Sequence, residues 1–109
     1  MKTLIELYDE RPLENVLGTE MFRPEEMIML CPPEAVSGKA LRESLSKYFE
    51  YRGCQVKLTM VPVSLLDAAK VEKQLQKVLE THEDCAIDIS GGTDASLFAA
   101  GVICGSTPV

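Results

Sequence analysis

The chain has 109 residues, of which 46% are apolar and 26% charged, and its formal net charge is −6. This length predicts one domain over residues 1–109, and the acidic excess argues against a protein that grips duplex nucleic acid through many phosphate contacts. No apolar run approaches the roughly 20 residues that span a bilayer, and Glu6 interrupts any signal-peptide core. We therefore predict a cytoplasmic protein without membrane contacts.

The first half of the chain predicts two strand-and-helix units. Residues 3–8 read as a strand, and Pro12 suits the first turn of the following helix, which ends at residues 23–24. The apolar face of that helix is predicted to contain Leu13, Val16, Leu17 and Met21. Residues 27–31 are apolar without alternation, as in a parallel strand covered on both faces. A second helix is predicted over about residues 37–52, with Gly53 as its stop.

The second half repeats the pattern twice. Residues 54–61 form a predicted strand, and residues 64–67 resemble a capping box that opens a third helix at Ala68. Residues 85–89 form the fourth predicted strand. The fourth helix, residues 95–104, is apolar almost all round, and such a helix needs cover on several sides. We therefore expect the fourth strand and helix to lie centrally in the fold.

Strands that alternate with helices predict an α/β protein with a Rossmann-like open parallel sheet and right-handed crossovers. Four such units without closing strands are incomplete. We expect a domain truncated after the fourth unit, or one completed by further chain or by a second copy.

The cysteines indicate neither a metal site nor a disulfide framework. No two of them form a C-x-x-C pair, and His82 is the single histidine. We interpret Cys31, Cys54, Cys85 and Cys104 as reduced thiols packed in the core. No cofactor is predicted, because the first strand-to-helix turn, residues 9–12, has no glycine for a dinucleotide.

The loop Ser90-Gly91-Gly92-Thr93 is the strongest candidate site. In open parallel sheets, ligands bind at the carboxyl ends of the strands, and this loop lies between the fourth strand and the fourth helix. Glycines let the backbone approach a ligand, hydroxyls donate to anions, and a helix N-terminus favours negative charge. A tight turn without a ligand is the alternative interpretation, and Asp94 in the first helical turn would repel an anion.

Three polar residues near this edge have structural interpretations. Asp88 is expected to brace the loop by accepting backbone N–H bonds, and Asn15 to steady a loop locally. Arg11 either contacts a ligand phosphate or pairs locally with Glu10 or Glu14.

Residues 87–93, Ile-Asp-Ile-Ser-Gly-Gly-Thr before an alanine-rich helix, resemble the signature of CRISPR-associated Rossmann-fold (CARF) domains. Residues 3–17 are similar to the opening of the subgroup in which such a domain precedes a restriction-like nuclease. The resemblance covers essentially the whole chain in element order. One departure is Asp94, since the family often has Lys or Arg at that position.

The resemblance implies a regulatory domain that binds a cyclic oligoadenylate second messenger across a homodimer, in CRISPR-linked antiviral defence. It implies ligand contacts, without catalytic residues, at Ser90, Gly91, Gly92, Thr93, Asp9, Glu10 and Arg11. Two alternatives remain open. The domain could be a ring nuclease that cleaves this ligand, or a dimerisation module that no longer binds it.

Overall fold

The computed structural model describes residues 1–106. These residues contain one sheet with the strand order β3-β2-β1-β4, and all three strand pairs are parallel. The strands are β1 (Thr3–Leu7), β2 (Glu26–Cys31), β3 (Lys57–Pro62) and β4 (Cys85–Asp88). The predicted α/β class with a Rossmann-like parallel sheet is confirmed.

Helices cover both faces of the sheet. They are a 3-10 helix (Pro12–Asn15), α1 (Leu17–Phe22), α2 (Pro33–Ser37), α3 (Ala40–Tyr51), α4 (Ala68–Thr81) and α5 (Asp94–Ser106). One face packs against α4 and α5, and the other against α3 and the segment around α1. This layering explains the unbroken apolar pattern of the central strands.

The core lies on both sides of β1 and β2. Ile5 and Ile28 point toward α4 and α5, whereas Met27 and Met29 point toward α3, and all four are almost fully buried. Because side chains alternate across a strand, each central strand contributes to two cores. The prediction of a strand buried on both faces at residues 27–31 is confirmed.

Two predicted helices begin differently in the structure. The helix expected over residues 37–52 is α3, which begins at Ala40 after the left-handed Lys39 with φ +62°, and the short α2 before it was not predicted. The first helix begins as a 3-10 turn before α1. The cap of α4 is Asp67, whose side chain accepts the Lys70 N–H at 3.2 Å, so the predicted capping box beginning at Ser64 is wrong.

The predicted apolar face of the first helix is also wrong. Leu13 and Met21 are 58% and 70% exposed, and only Val16 of the four residues in that predicted face is buried. A 3-10 turn advances about 120° per residue instead of 100°, so the stripe loses its alignment. Gly18 and Thr19 face the sheet instead.

Among residues 1–106, β4 lies at an edge of the sheet and not in the central position predicted for the fourth unit. α5 buries Ser96, Ala99, Ala100 and Ile103 against the core but leaves Phe98 67% exposed. Within residues 1–106, β4 pairs with β1 alone. The outer side of α5 is therefore an uncovered apolar surface.

The cysteines differ in environment. Cys31 and Cys54 are buried, Cys85 is half-buried and Cys104 is exposed, so the core interpretation is wrong for Cys104. Among residues 1–106, no group of three His, Cys, Asp or Glu side chains is arranged to hold a metal ion. No helix in that range combines the length and apolarity needed to cross a membrane.

Candidate functional site

A cleft of about 590 Å³ lies at the carboxyl edge of the sheet. It is formed by the segments that follow β1, β2 and β3, together with the loop that leads into α5. Its lining residues are Tyr8, Asp9, Glu10, Pro32, Pro33, Glu34, Ser64, Leu65, Leu66, Gly92 and Thr93. This is the edge where parallel α/β sheets bind ligands, as the sequence predicted.

The loop into α5 ends in a reciprocal cap. Thr93 donates its N–H to Oγ of Ser96 at 2.9 Å, and Ser96 donates its N–H to Oγ1 of Thr93 at 3.1 Å. The Thr93 hydroxyl donates to the carbonyl of Leu65. The hydroxyl predicted to contact a ligand thus fixes the start of α5 and ties it to the segment before α4.

Close packing favours glycine at both positions of this loop, most strongly at Gly92. Gly92 has φ +113°, and a Cβ there would lie 2.7 Å from Oγ of Ser96 and 3.0 Å from Cβ of Leu7. A Cβ at Gly91 would lie 3.0 Å from both Cβ and Oδ2 of Asp9. The tight-turn interpretation therefore accounts for the two glycines without a ligand.

The anion that this loop binds is a side chain of the same protein, the Asp9 carboxylate. Oδ2 of Asp9 accepts the Gly92 N–H at 2.9 Å, while Oδ1 accepts the N–H and Nε of Arg11 at 2.8 and 2.9 Å. The Arg11 guanidinium and then the two backbone amides hold the pKa of Asp9 well below its usual range. The Asp9 side chain is only 8% exposed, so it acts as a charged clamp between two loops.

Asp88 braces the other end of the loop, as predicted. Its Oδ1 accepts the Ser90 N–H at 2.9 Å and the Ser90 hydroxyl at 2.6 Å. Partial burial raises the pKa of Asp88, but the hydrogen bonds from Ser90 and from Glu6 outweigh burial and lower that pKa.

Behind Asp88 lies a buried acid that the sequence analysis did not recognise as part of the site. Glu6 is 1% exposed and pairs in register with Asp88. Burial and the neighbouring Asp88 raise the pKa of Glu6 to about 10, so it is protonated at neutral pH. A Cβ at Gly18 would lie 2.5 Å from Oδ2 of Asp88 and 2.7 Å from Oε1 of Glu6, which explains a glycine there. In the sequence, the sign of this buried acid is Glu6 itself, a single acidic residue between the apolar Ile5 and Leu7.

The loop after β1 is held by two side chains. Asn15 accepts the Asp9 N–H at 2.9 Å and donates Nδ2 to the Asp9 carbonyl at 2.8 Å, so its predicted steadying role is confirmed. Arg11 pairs with Asp9, so the predicted pairing with Glu10 or Glu14 is wrong. The reason is the turn itself, which brings residues two apart into contact.

The structure brings only part of the predicted site into the cleft. Asp9, Glu10, Gly92 and Thr93 line it, whereas Ser90, Gly91 and Arg11 are not among the lining residues. No ligand contact was predicted for the loops after β2 and β3, which also line the cleft. Leu66, which is 85% exposed, and Glu34 are the main side chains missed in this way.

No family model and no curated protein sequence matches the chain significantly. A solved structure does: Can2 from Sulfobacillus thermosulfidooxidans in complex with cyclic tetra-adenylate, with a TM-score of 0.79 and 19% sequence identity. The match covers 92% of this chain and 28% of the Can2 chain. At this identity the likeness establishes the fold. The chain therefore shares the fold of the matched part of Can2, a Rossmann-like fold with a parallel sheet.

Proposed function

We propose that this chain is a ligand-sensing module that binds a cyclic oligoadenylate in the cleft at the carboxyl edge of its sheet. The observation that carries the proposal is the likeness of 92% of the chain to a protein solved with cyclic tetra-adenylate. Two features support it, namely the volume of about 590 Å³ and the position of the cleft at the usual ligand edge of such sheets.

The proposed module is a homodimer that regulates an effector in CRISPR-linked defence, as in the nuclease-preceding subgroup. Support for a dimer comes from apolar side chains left uncovered beside the cleft edge. Ile89 after β4 and Phe98 on α5 are 64% and 67% exposed, and Val102 on α5 is 37% exposed. Phe98 and Val102 are four residues apart and so share one face of α5, and an exposed apolar face is typical of an interface.

We favour sensing over ring cleavage. Cleavage needs groups that stabilise developing negative charge, and among residues 1–106 neither a lysine nor an arginine lines the cleft. The second alternative, a dimerisation module without a ligand, is supported by the Asp9 carboxylate that engages the Gly92 N–H.

Isothermal titration of the 109-residue chain with cyclic tetra-adenylate and cyclic hexa-adenylate tests the proposal. We expect heat with at least one ligand and no linear product after prolonged incubation. Leu66→Ser should weaken binding roughly three- to tenfold, because Leu66 lines the cleft and loses apolar contact. Tyr51→Ser is the matched control, since Tyr51 is also 85% exposed but lies at the end of α3. Absence of heat with both ligands would refute the proposal.

A further inference from the structure

Three hydrogen-bond donors of Gly92 and Thr93 in the glycine loop are already engaged. The Gly92 N–H donates to Asp9, the Thr93 N–H donates to Ser96, and the Thr93 hydroxyl donates to the carbonyl of Leu65. A phosphate oxygen placed against this part of the loop would have to displace one of these acceptors. The buried and charge-paired Asp9 is the least replaceable of them, because its removal leaves several donors unsatisfied.

The cleft instead presents free acceptors. Glu10 and Glu34 line it and are exposed, and within residues 1–106 neither carboxylate accepts a hydrogen bond or forms an ion pair. Asp9 adds a third carboxylate, and no lysine or arginine in the described part of the chain lines the same cleft. Carboxylates repel phosphates but accept strong hydrogen bonds from amino and hydroxyl groups.

Cations lie in a neighbouring groove of about 420 Å³ that shares Pro33 and Ser64 with the cleft. Lys70, Lys73 and Lys77 line it from one side of α4, where residues three and four apart are neighbours. Lys70 lies 4.0 Å from Asp67, whereas Lys73 and Lys77 form no ion pair with any residue from 1 to 106. In a chain of net charge −6, this groove is a local concentration of positive charge.

We propose, building on the proposed function, that the cyclic oligoadenylate binds with its donor groups toward the cleft carboxylates and its phosphates toward the lysine groove. The donors are the adenine amino groups. This orientation satisfies Glu10 and Glu34 without displacing Asp9. In this orientation, the acidic cleft determines which base is bound. The lysine groove binds the phosphates of any cyclic oligonucleotide, whatever its base.

The decisive experiment compares cyclic tetra-adenylate with cyclic tetra-inosinate in titrations of the whole chain. The two ligands have equal charge and ring size, but inosine carries a carbonyl acceptor where adenine carries an amino donor. We expect inosinate to bind about tenfold more weakly, the typical loss when a hydrogen bond to a charged acceptor is removed. Glu10→Gln or Glu34→Gln should shrink this ratio, whereas Glu50→Gln on α3 should leave it unchanged.

The lysine groove is tested separately. Lys73→Gln and Lys77→Gln should weaken both ligands by the same factor, roughly two- to fivefold, and leave the adenylate-to-inosinate ratio intact. Lys47→Gln, an exposed lysine on α3, is the control for nonspecific charge effects.

The outcomes separate the two proposals. Absence of heat with either cyclic ligand overturns the proposed function and this orientation with it. Binding of cyclic tetra-adenylate with equal affinity for the inosinate overturns the orientation alone. So does tighter binding of both ligands by Glu10→Gln and Glu34→Gln beyond the Glu50→Gln control, because phosphates would then face the carboxylates. Lysine variants that match Lys47→Gln also overturn the orientation.

Discussion

Glu6 lies in the central strand β1 between two apolar neighbours and faces Asp88 on the adjacent strand. Burial and the neighbouring Asp88 raise the pKa of Glu6, so this carboxyl is protonated at neutral pH although it is almost fully buried. Asp88 in turn accepts two hydrogen bonds from Ser90. A single buried proton thus supports the start of the candidate loop, and its retention depends on pH.

Glu6→Gln should alter the pH dependence of stability. The pKa of Glu6 is raised from 4.5 to about 10 by burial and then by Asp88, so its contribution to the free energy of unfolding is complete below pH 4.5 and is lost as the pH rises toward 10. A glutamine amide donates to Asp88 without a titrating proton. Between pH 6 and 9 the variant should gain up to about 1.4 kcal/mol per pH unit over the native chain.

Urea unfolding at several pH values measures this gain. Glu50→Gln on the exposed side of α3 should follow the native chain at every pH. Parallel profiles of the native chain and Glu6→Gln across pH 6–9 would show that Glu6 is not protonated in the folded state.

At the scale of elements, the loop after β1 and the loop before α5 form one unit. Asp9 joins them through the Gly92 N–H, and Asn15 holds the Asp9 backbone from the 3-10 helix. Thr93 adds a link from the start of α5 to the segment before α4. The carboxyl edge of the sheet is therefore held by hydrogen bonds between loops, which preforms the cleft.

Asp9→Asn should loosen this edge. The amide retains one acceptor oxygen but loses the charge that Arg11 and two backbone N–H groups require. We expect a loss of about 1–3 kcal/mol in the free energy of unfolding at pH 7, with faster hydrogen exchange at the Gly92 amide. Because the pKa of Asp9 is lowered, the difference should vanish as the native chain is titrated well below pH 3.8.

The matched control is Glu10→Gln, which removes the adjacent and exposed carboxylate. It should leave both the unfolding free energy and the Gly92 exchange rate unchanged. Equal effects of the two variants would argue against the clamp.

In the whole molecule, the two edges of the sheet differ in how far they are covered. The β3 edge is covered in part, since Arg42 donates to the Leu58 carbonyl and Pro62 lacks an N–H. The β4 edge has no neighbouring strand within residues 1–106, and α5 beside it exposes Phe98. The β4 end of the sheet therefore exposes apolar side chains beside an unpaired strand, namely Ile89, Phe98 and Val102.

We predict that the chain self-associates through this end. Phe98→Ser should weaken the association at least tenfold, because a buried aromatic side chain at an interface contributes more than 1.4 kcal/mol. Sedimentation equilibrium over a concentration series measures the effect. Phe22→Ser is the control, since Phe22 is 58% exposed on the helix that covers the opposite face of the sheet. Equal dissociation constants for the two variants would place the interface elsewhere.

Several site features could be predicted because they depend on neighbours in the chain. The Asp88 brace spans two residues, the Asn15 contact spans six, and Gly53 ends α3 with φ +70°. The separate short helix α2 before Lys39 and the exposure of Leu13 could not be predicted in this way. Both depend on how the helices pack against the sheet, and this packing involves residues that are distant in the sequence.

The fold class of the protein follows from the amino-acid pattern. Apolar periodicity is local, so it established alternating strands and helices, a parallel sheet and a glycine loop at its carboxyl edge. The tertiary structure alone decided the strand order, the edge position of β4 and the partner of the Gly92 amide, which is Asp9, 83 residues away in sequence. Contacts at such separation arise from chain closure and packing, and no periodic pattern encodes them.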